Sequence, residues 1–124
     1  MTTARTKLGS LGERHARSIL EGHGFRFMES NWRAESGEID LVMIDGEFVV
    51  MVEVKVRRRA RAGRAEEAIS IAKGRRLLAT GEWYIADHPD LADLPWRIDL
   101  VAITIDDDGR VMRHRHIRDA VVTG

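Results

Sequence analysis

The stretch from Gly37 to Arg57, GEIDLVMIDGEFVVMVEVKVR, constrains the fold more than any other part of the chain. Its Asp45-Gly46 dipeptide is a hairpin signal, because both residues tolerate the positive φ that tight turns between antiparallel strands require. Glu38 to Ile44 and Glu47 to Arg57 read as the two strands. Phe48 to Val52 is apolar at every position, so the second strand is expected to be central and covered on both faces. Glu38, Asp40, Glu53 and Lys55 interrupt this otherwise apolar pair.

The rest of the chain supplies partners for that hairpin. Leu11, Ala16, Ile19 and Leu20 recur at helical spacing, which predicts a helix from Ser10 to His23 closed by Gly24. Residues 1–7 carry no periodic signal and are expected to be a flexible tail. Glu13 borders the apolar face of the helix, three residues before Ala16. Phe25 to Trp32 favours a strand and Arg33 to Ser36 a turn. Beyond the hairpin, Arg57 to Arg64 reads as a basic loop containing Gly63, and a helix is expected within Ala65 to Ala86, ending before Pro89. Gly74 and Gly81 weaken the case for an unbroken helix. An acidic connection, His88 to Leu94, leads to strands Trp96 to Ile105 and Val111 to Ile117, joined by a turn at Asp106 to Gly109. The order α, β, β, β, α, β, β implies a mixed sheet with helices against it.

At 124 residues the chain is expected to form one domain with an adequate core. It has no cysteine, which removes disulfides, thiolate zinc sites and a Cys nucleophile together. No run approaches the roughly 18 apolar residues of a membrane span, and the N-terminus lacks an apolar signal core. A cytoplasmic location and no membrane partner are therefore expected. Lys plus Arg number 20 and Asp plus Glu number 20, so any affinity for nucleic acid must come from how charge is distributed. Arg57, Arg58, Arg59, Arg61, Arg64, Lys73, Arg75 and Arg76 crowd one span, whereas aspartates dominate downstream.

Strand parity turns the hairpin into chemistry. With the turn centred on Asp45-Gly46 and Ile44 facing Glu47, Asp40 falls opposite Met51 and Glu38 opposite Glu53. Glu38, Asp40, Glu53 and Lys55 then share one face, with Asp40 and Glu53 as diagonal neighbours about 7–8 Å apart. Ile39, Leu41, Met43, Phe48, Val50, Val52 and Val54 take the other. Three carboxylates and one lysine on a desolvated face call for a cation, and a hard ion such as Mg²⁺ or Mn²⁺ prefers oxygen ligands. Such an ion beside a lysine and an arginine rim suits phosphodiester hydrolysis. The same charges also suit a surface hairpin with ordinary cross-strand ion pairs.

The remaining polar residues leave two readings each. Arg57, Arg58 and Arg59 suit either phosphate contacts or a solvated loop, with Arg57 favoured because its parity matches Glu53 and Lys55. Lys73 suits either a phosphate contact or a helix surface. Arg97 and Asp99 read as a structural ion pair. His114 and His116 stand at a spacing that can hold a metal, but a polar edge strand that resists aggregation accounts for them better.

GERHA in the first helix, the NWR and GEIDLV segments, VEVKVR, AKGRRL and RIDLVAI together resemble the bacterial YraN family of uncharacterised proteins. That family is similar to archaeal Holliday junction resolvases and to the PD-(D/E)XK nuclease superfamily. The resemblance runs from about Gly12 to Val121 and implies a restriction-endonuclease-like α/β fold, a mixed central sheet flanked by helices. It implies further that Asp40 and Glu53 bind Mg²⁺ or Mn²⁺, with the Val54 carbonyl as a third ligand, and that Lys55 orients water or stabilises charge. Glu13 matches the first-helix glutamate of the resolvase-like members, and Glu38 belongs to the metal-binding segment. The Pro-Asp pair of the superfamily name is absent, since Ile39 precedes Asp40. Ala62 stands before Gly63 where the family often has an aromatic. The function so implied is a metal-dependent endonuclease acting on DNA, including branched or flapped forms, with a homodimer if it acts as resolvases do. A non-catalytic nucleic-acid-binding or adaptor protein with the same fold is the alternative.

Overall fold

The hairpin forms the middle of a five-stranded sheet in the computed structural model, which describes residues 4–59 and 69–121. The elements are α1 (Ala4–Gly22), β1 (Arg26–Ala34), β2 (Gly37–Asp45), β3 (Phe48–Arg58), α2 (Ile71–Asp87), β4 (Trp96–Ile105) and β5 (Val111–Ile117), with a 3-10 turn at Pro89–Leu91. The spatial order is β1-β2-β3-β4-β5; β3 and β4 run parallel and every other pair antiparallel. A parallel pair cannot be closed by a tight turn, and α2 lies within its crossover. This is the mixed sheet flanked by two helices of a restriction-endonuclease-like fold.

Each sheet face has its own core. Ala16 and Leu20 of α1 pack with Leu41, Met43, Val50, Val52, Val101 and Ile103. Leu77 and Tyr84 of α2 pack with Ile39, Val42, Ile44, Val49, Met51 and Ile98. The apolar run is explained by this arrangement: Val49 to Val52 alternate between the two cores, and each is buried.

Three expectations need correction. Helix α1 begins at Ala4, inside the stretch expected to be a tail, since residues 4–8 contain helix formers with no breaker among them. Helix α2 lies where a helix was expected, but it runs unbroken through Gly74 and Gly81 to Asp87, from a start at Ile71 where the Ser70 hydroxyl accepts the Lys73 N–H at 3.1 Å and so fixes the first turn. The proposed basic loop beyond Arg59 and the possible helix start at Ala65 lie outside the described residues.

The third correction concerns register. Asp45 pairs with Phe48 and Val42 with Met51, so the turn is Gly46-Glu47 and the pairing differs by two residues from that expected. A shift of two preserves side-chain parity, whereas a shift of one would have inverted it.

At the turn end, Arg97 locks the hairpin to β4 and the C-terminal residues. Its guanidinium donates to Asp45 Oδ2 and Asp99 Oδ1, each at 2.9 Å. Asp99 is fully buried and also meets His116 Nε2 at 2.8 Å and accepts the Asp119 N–H at 2.9 Å. Arg97 and Asp99 are thus the structural ion pair that their sequence pattern suggested. No helix among the described residues is long and apolar enough to cross a membrane.

Candidate functional site

At the end of the hairpin away from its turn, β2 and β3 diverge. Their backbone ladder ends at Leu41 opposite Val52, while β2 continues along β1 to Gly37 and β3 along β4 to Arg58. Asp40 fills the seam. Its Oδ2 accepts the Val54 N–H at 2.8 Å, satisfying a donor that the departing strand no longer reaches.

Alternation breaks at the same point. Ile39 packs in the α2-side core and Leu41, two residues on, in the α1-side core. A regular strand would place both on one face, so the single-face arrangement expected for β2 does not hold through Asp40. Strand β3 stays regular: Val50, Val52, Val54 and Val56 belong to the α1-side cluster, which puts Glu53, Lys55 and Arg57 together on the opposite face.

Continuing the observed register one residue beyond Leu41 sets Asp40 directly opposite Glu53, instead of diagonal to it. Burial, and then the charge of Glu53, push the Asp40 carboxyl up to about 8, despite the Val54 N–H that favours ionisation. Glu53 is itself only 4% exposed, and Lys73 Nζ reaches its Oε2 at 3.0 Å. Lys73, which the sequence left between a phosphate contact and a helix surface, therefore enters the site as the cation beside Glu53.

Glu13 and Glu38 form a second acidic pair. Asn31 joins them: in the amide orientation that pairs donor with acceptor, its Nδ2 lies 2.8 Å from Glu13 Oε2 and 2.8 Å from Glu38 Oε1. Arg33 Nε approaches Glu38 Oε2 at 3.5 Å from the neighbouring strand position. The Glu13 carboxyl is raised above its ordinary value, chiefly by burial, with Asn31 opposing the shift and the charge of Glu38 adding to it. Glu13, Asn31, Arg33, Glu38 and Asp40 line one open cleft of about 580 Å³. The charge of Glu13 also raises the Asp40 pKa, so the two acidic pairs are linked through Asp40.

The structure thus brings Asp40, Glu53 and Lys73 together, with Glu13 and Glu38 on the neighbouring wall. Lys55 and Arg57 continue along β3 from Glu53 and are half-buried; Arg58 and Arg59 are exposed at and just past the strand end. Among the described residues, no three His, Asp or Glu side chains are grouped so as to hold a metal ion by themselves. The paired donors Asp40 and Glu53 nevertheless have the hard oxygen chemistry of a Mg²⁺ or Mn²⁺ site, in which such ions usually retain several waters. Asn31 was missed in the sequence. Its positive φ of 56° is a conformation that Asn tolerates better than most residues, and a polar Asn beside the Trp of a strand was the available signal.

A family model matches residues 12–103, which carry Glu13, Asp40, Glu53, Lys55 and Lys73. The chain belongs to the uncharacterised protein family UPF0102. A UPF0102 protein of Renibacterium salmoninarum is 49% identical over 116 residues, spanning 92% of this chain and 97% of its own. One of Chloroflexus aurantiacus is 39% identical over 121 residues, or 98% of each chain. One of Xanthomonas campestris is 42% identical over 101 residues, covering 82% and 83%. The resemblance to uncharacterised bacterial proteins therefore holds as UPF0102 membership, and the names of these relatives state no activity.

Proposed function

We propose that this UPF0102 protein is a metal-dependent endonuclease that hydrolyses DNA phosphodiesters, with Asp40 and Glu53 as metal ligands and Lys55 as the charge-stabilising group. One observation carries the reading: Asp40 is pressed against Glu53 at the seam, and burial raises its pKa to about 8. Two buried carboxylates of this kind gain most from a divalent cation. When bound, that ion supplies Lewis acidity toward a phosphoryl oxygen and acidifies water.

The chain's own residues then divide the work. Asp40 is held by the Val54 N–H through Oδ2, which leaves its other oxygen for the ion. Lys55, on the Glu53 face of β3, offers an ammonium to the charge that develops on phosphate oxygens. Arg57, Arg58 and Arg59 extend positive charge from that face and attract the backbone. Glu13 and Glu38 border the cleft, where Glu13 can accept a proton from water. The resemblance to PD-(D/E)XK nucleases and to Holliday junction resolvases adds branched or flapped DNA as substrates and a homodimer as the acting form. A cytoplasmic location belongs to the same reading.

The test is cleavage of labelled linear, flapped and four-way DNA in Mg²⁺ or Mn²⁺ by the wild type, Glu53→Ala and Lys55→Ala. Each substitution is expected to slow cutting about 10²-fold or more. Cutting that survives both would overturn the site assignment. The second reading, a nucleic-acid-binding or adaptor protein without turnover, draws on Lys73, which already neutralises Glu53 without a metal. Wild-type binding with no cutting on any of the three substrates would favour it.

A further inference from the structure

A second cavity, of about 210 Å³, opens between α1 and β1 beside the acidic cleft and shares Ser10, Glu13 and Asn31 with it. Phe27 and the buried Leu41 give it an apolar floor. Ser30 stands opposite Leu41 in the β1–β2 ladder and also lines the space, which its short side chain leaves unfilled.

Arg17 supplies the cavity with a flat wall. Its guanidinium stands 3.6 Å from the centroid of the Phe27 ring, and its Nε donates to Glu21 Oε2 at 3.3 Å, so the plane is held in place while the side chain remains 44% exposed. Guanidinium and aromatic planes are the surfaces on which unpaired bases stack. The Ser30 hydroxyl adds a group that can donate or accept a hydrogen bond. Arg14, on the same wall, is exposed and has no acidic partner among the described residues.

We propose that this cavity is a subsite for one unpaired nucleobase of the strand whose backbone enters the acidic cleft, with Arg14 on the adjoining phosphate. The inference rests on the DNA reading of the site and deepens it, because it says which nucleotide the chain selects. Size favours this occupant: the space is below the roughly 300–1,000 Å³ of pockets for drug-sized ligands, so it admits one ring system and no stacked pair. Continuity favours it too, since the cavity adjoins the cleft lined by Asp40 and one strand can reach both. Charge completes the match, because an apolar side chain of a protein partner would use the Phe27 and Leu41 floor but leave Arg14 without an anion. A base inside a duplex has its hydrogen-bonding edge and both faces occupied, and pulling it out costs more than admitting one that is already unpaired. The subsite therefore selects flaps, gaps and frayed ends over continuous duplex.

Binding of fluorescent flapped DNA, followed by anisotropy in EDTA and again in Ca²⁺, tests it with an abasic nucleotide placed in turn at each position near the base of the flap. At one position the abasic exchange should weaken wild-type binding about 5-fold or more, the loss of one stacked base. Arg17→Lys keeps the charge and removes the plane. It should weaken binding of the intact flap by a similar factor, add nothing to the loss on the abasic flap, and keep the wild-type slope of log K against log salt. Matching melting temperatures confirm that the variant is folded; Ser30→Phe, which fills the cavity from β1, replaces it if it unfolds. Equal affinity for intact and abasic flaps at every position, or an undiminished abasic penalty in the folded variant, overturns the subsite and leaves the proposed function standing. A wild type that binds neither flapped nor duplex DNA under either condition overturns the proposed function itself. A wild-type dimer that forms without DNA and is lost in Arg17→Lys overturns the choice of occupant in favour of a second copy of the chain.

Discussion

Asp40 and Glu53 meet across the seam between β2 and β3, and each leans on a different third group: Asp40 on the Val54 N–H, Glu53 on the Lys73 ammonium. Among the described residues, only Glu53 has a cation within ion-pair distance. The uncompensated partner is the one whose pKa rises.

That asymmetry fixes a pH dependence. Asp40 binds its proton more tightly in the folded chain than in the unfolded one, where its pKa is about 3.9. Between that value and about 8 the folded state holds more protons, so its stability is greatest on the acid side and falls as pH rises through the window. Asp40→Asn should remove most of this slope and, at pH 8 in EDTA, stabilise the fold by an amount on the order of 2 kcal/mol. Urea unfolding of both proteins at pH 5 and pH 8 measures it. Parallel slopes for wild type and variant would show that Asp40 is not the group responsible.

Lys73 and a divalent ion compete for the same oxygen. Lys73→Met leaves the buried Glu53 carboxylate unpaired and should cost about 2–3 kcal/mol in EDTA. Millimolar Mg²⁺ or Mn²⁺ should then raise the melting temperature of Lys73→Met more than that of the wild type, since the ion no longer has to displace an ammonium. Glu53→Gln/Lys73→Met should recover most of the lost stability and lose the metal response. Thermal melts of the three proteins with and without metal decide the matter, and an equal metal response in wild type and Lys73→Met would refute the competition.

Much of this architecture was legible because β-branched and apolar runs are local signals. Strands β4 and β5 start and end at the residues their composition suggested, and β3 is central as its unbroken apolar run required. Register was less accessible, because Asp45-Gly46-Glu47 offers two overlapping two-residue turns, and only cross-strand packing chooses between them. The break in alternation at Asp40 was invisible for a related reason: it depends on β2 and β3 diverging toward different neighbours. The Lys73–Glu53 pair joins residues twenty apart, and nothing local distinguishes it from a solvated lysine. On β5, histidines and arginines alternate, but both count as polar, so a hydropathy pattern recorded only a blur.

Asp99 shifts in the opposite sense from Asp40. Burial pushes its pKa up, but hydrogen bonds from His116, Arg97 and the Asp119 N–H together outweigh that and leave it below the ordinary value. Its contribution is present above the unfolded pKa and is lost as pH falls through the lower, folded one. Asp99→Asn strips a fully buried anion from Arg97 and should cost about 3 kcal/mol near neutral pH, with a smaller deficit as pH falls below the carboxylate range. Equilibrium unfolding at pH 7 and pH 3 compares the two limits. An unchanged deficit at pH 3 would mean that geometry, not charge, accounts for the loss.

Gly81 gives a test of why α2 contains two glycines that a free helix would disfavour. A Cβ built at Gly81 would stand 2.5 Å from Trp96 Cζ3 and 2.8 Å from Met51 Sδ, so the missing methyl lets the helix sit against β3 and β4. Gly74, two turns earlier, is similarly close to Val121, with 3.2 Å to its Cγ1. Helix propensity alone predicts that Gly→Ala gains up to about 1 kcal/mol. At Gly81, overpacking against a fixed indole costs roughly 1–3 kcal/mol and reverses the sign. Gly9 in α1 has no heavy atom within 4 Å of the same built Cβ, so Gly9→Ala should realise the propensity gain. The expected result is a lower urea midpoint for Gly81→Ala and a higher one for Gly9→Ala at equal m. Stabilisation by Gly81→Ala would mean that Trp96 yields and that close approach is not what the glycine provides.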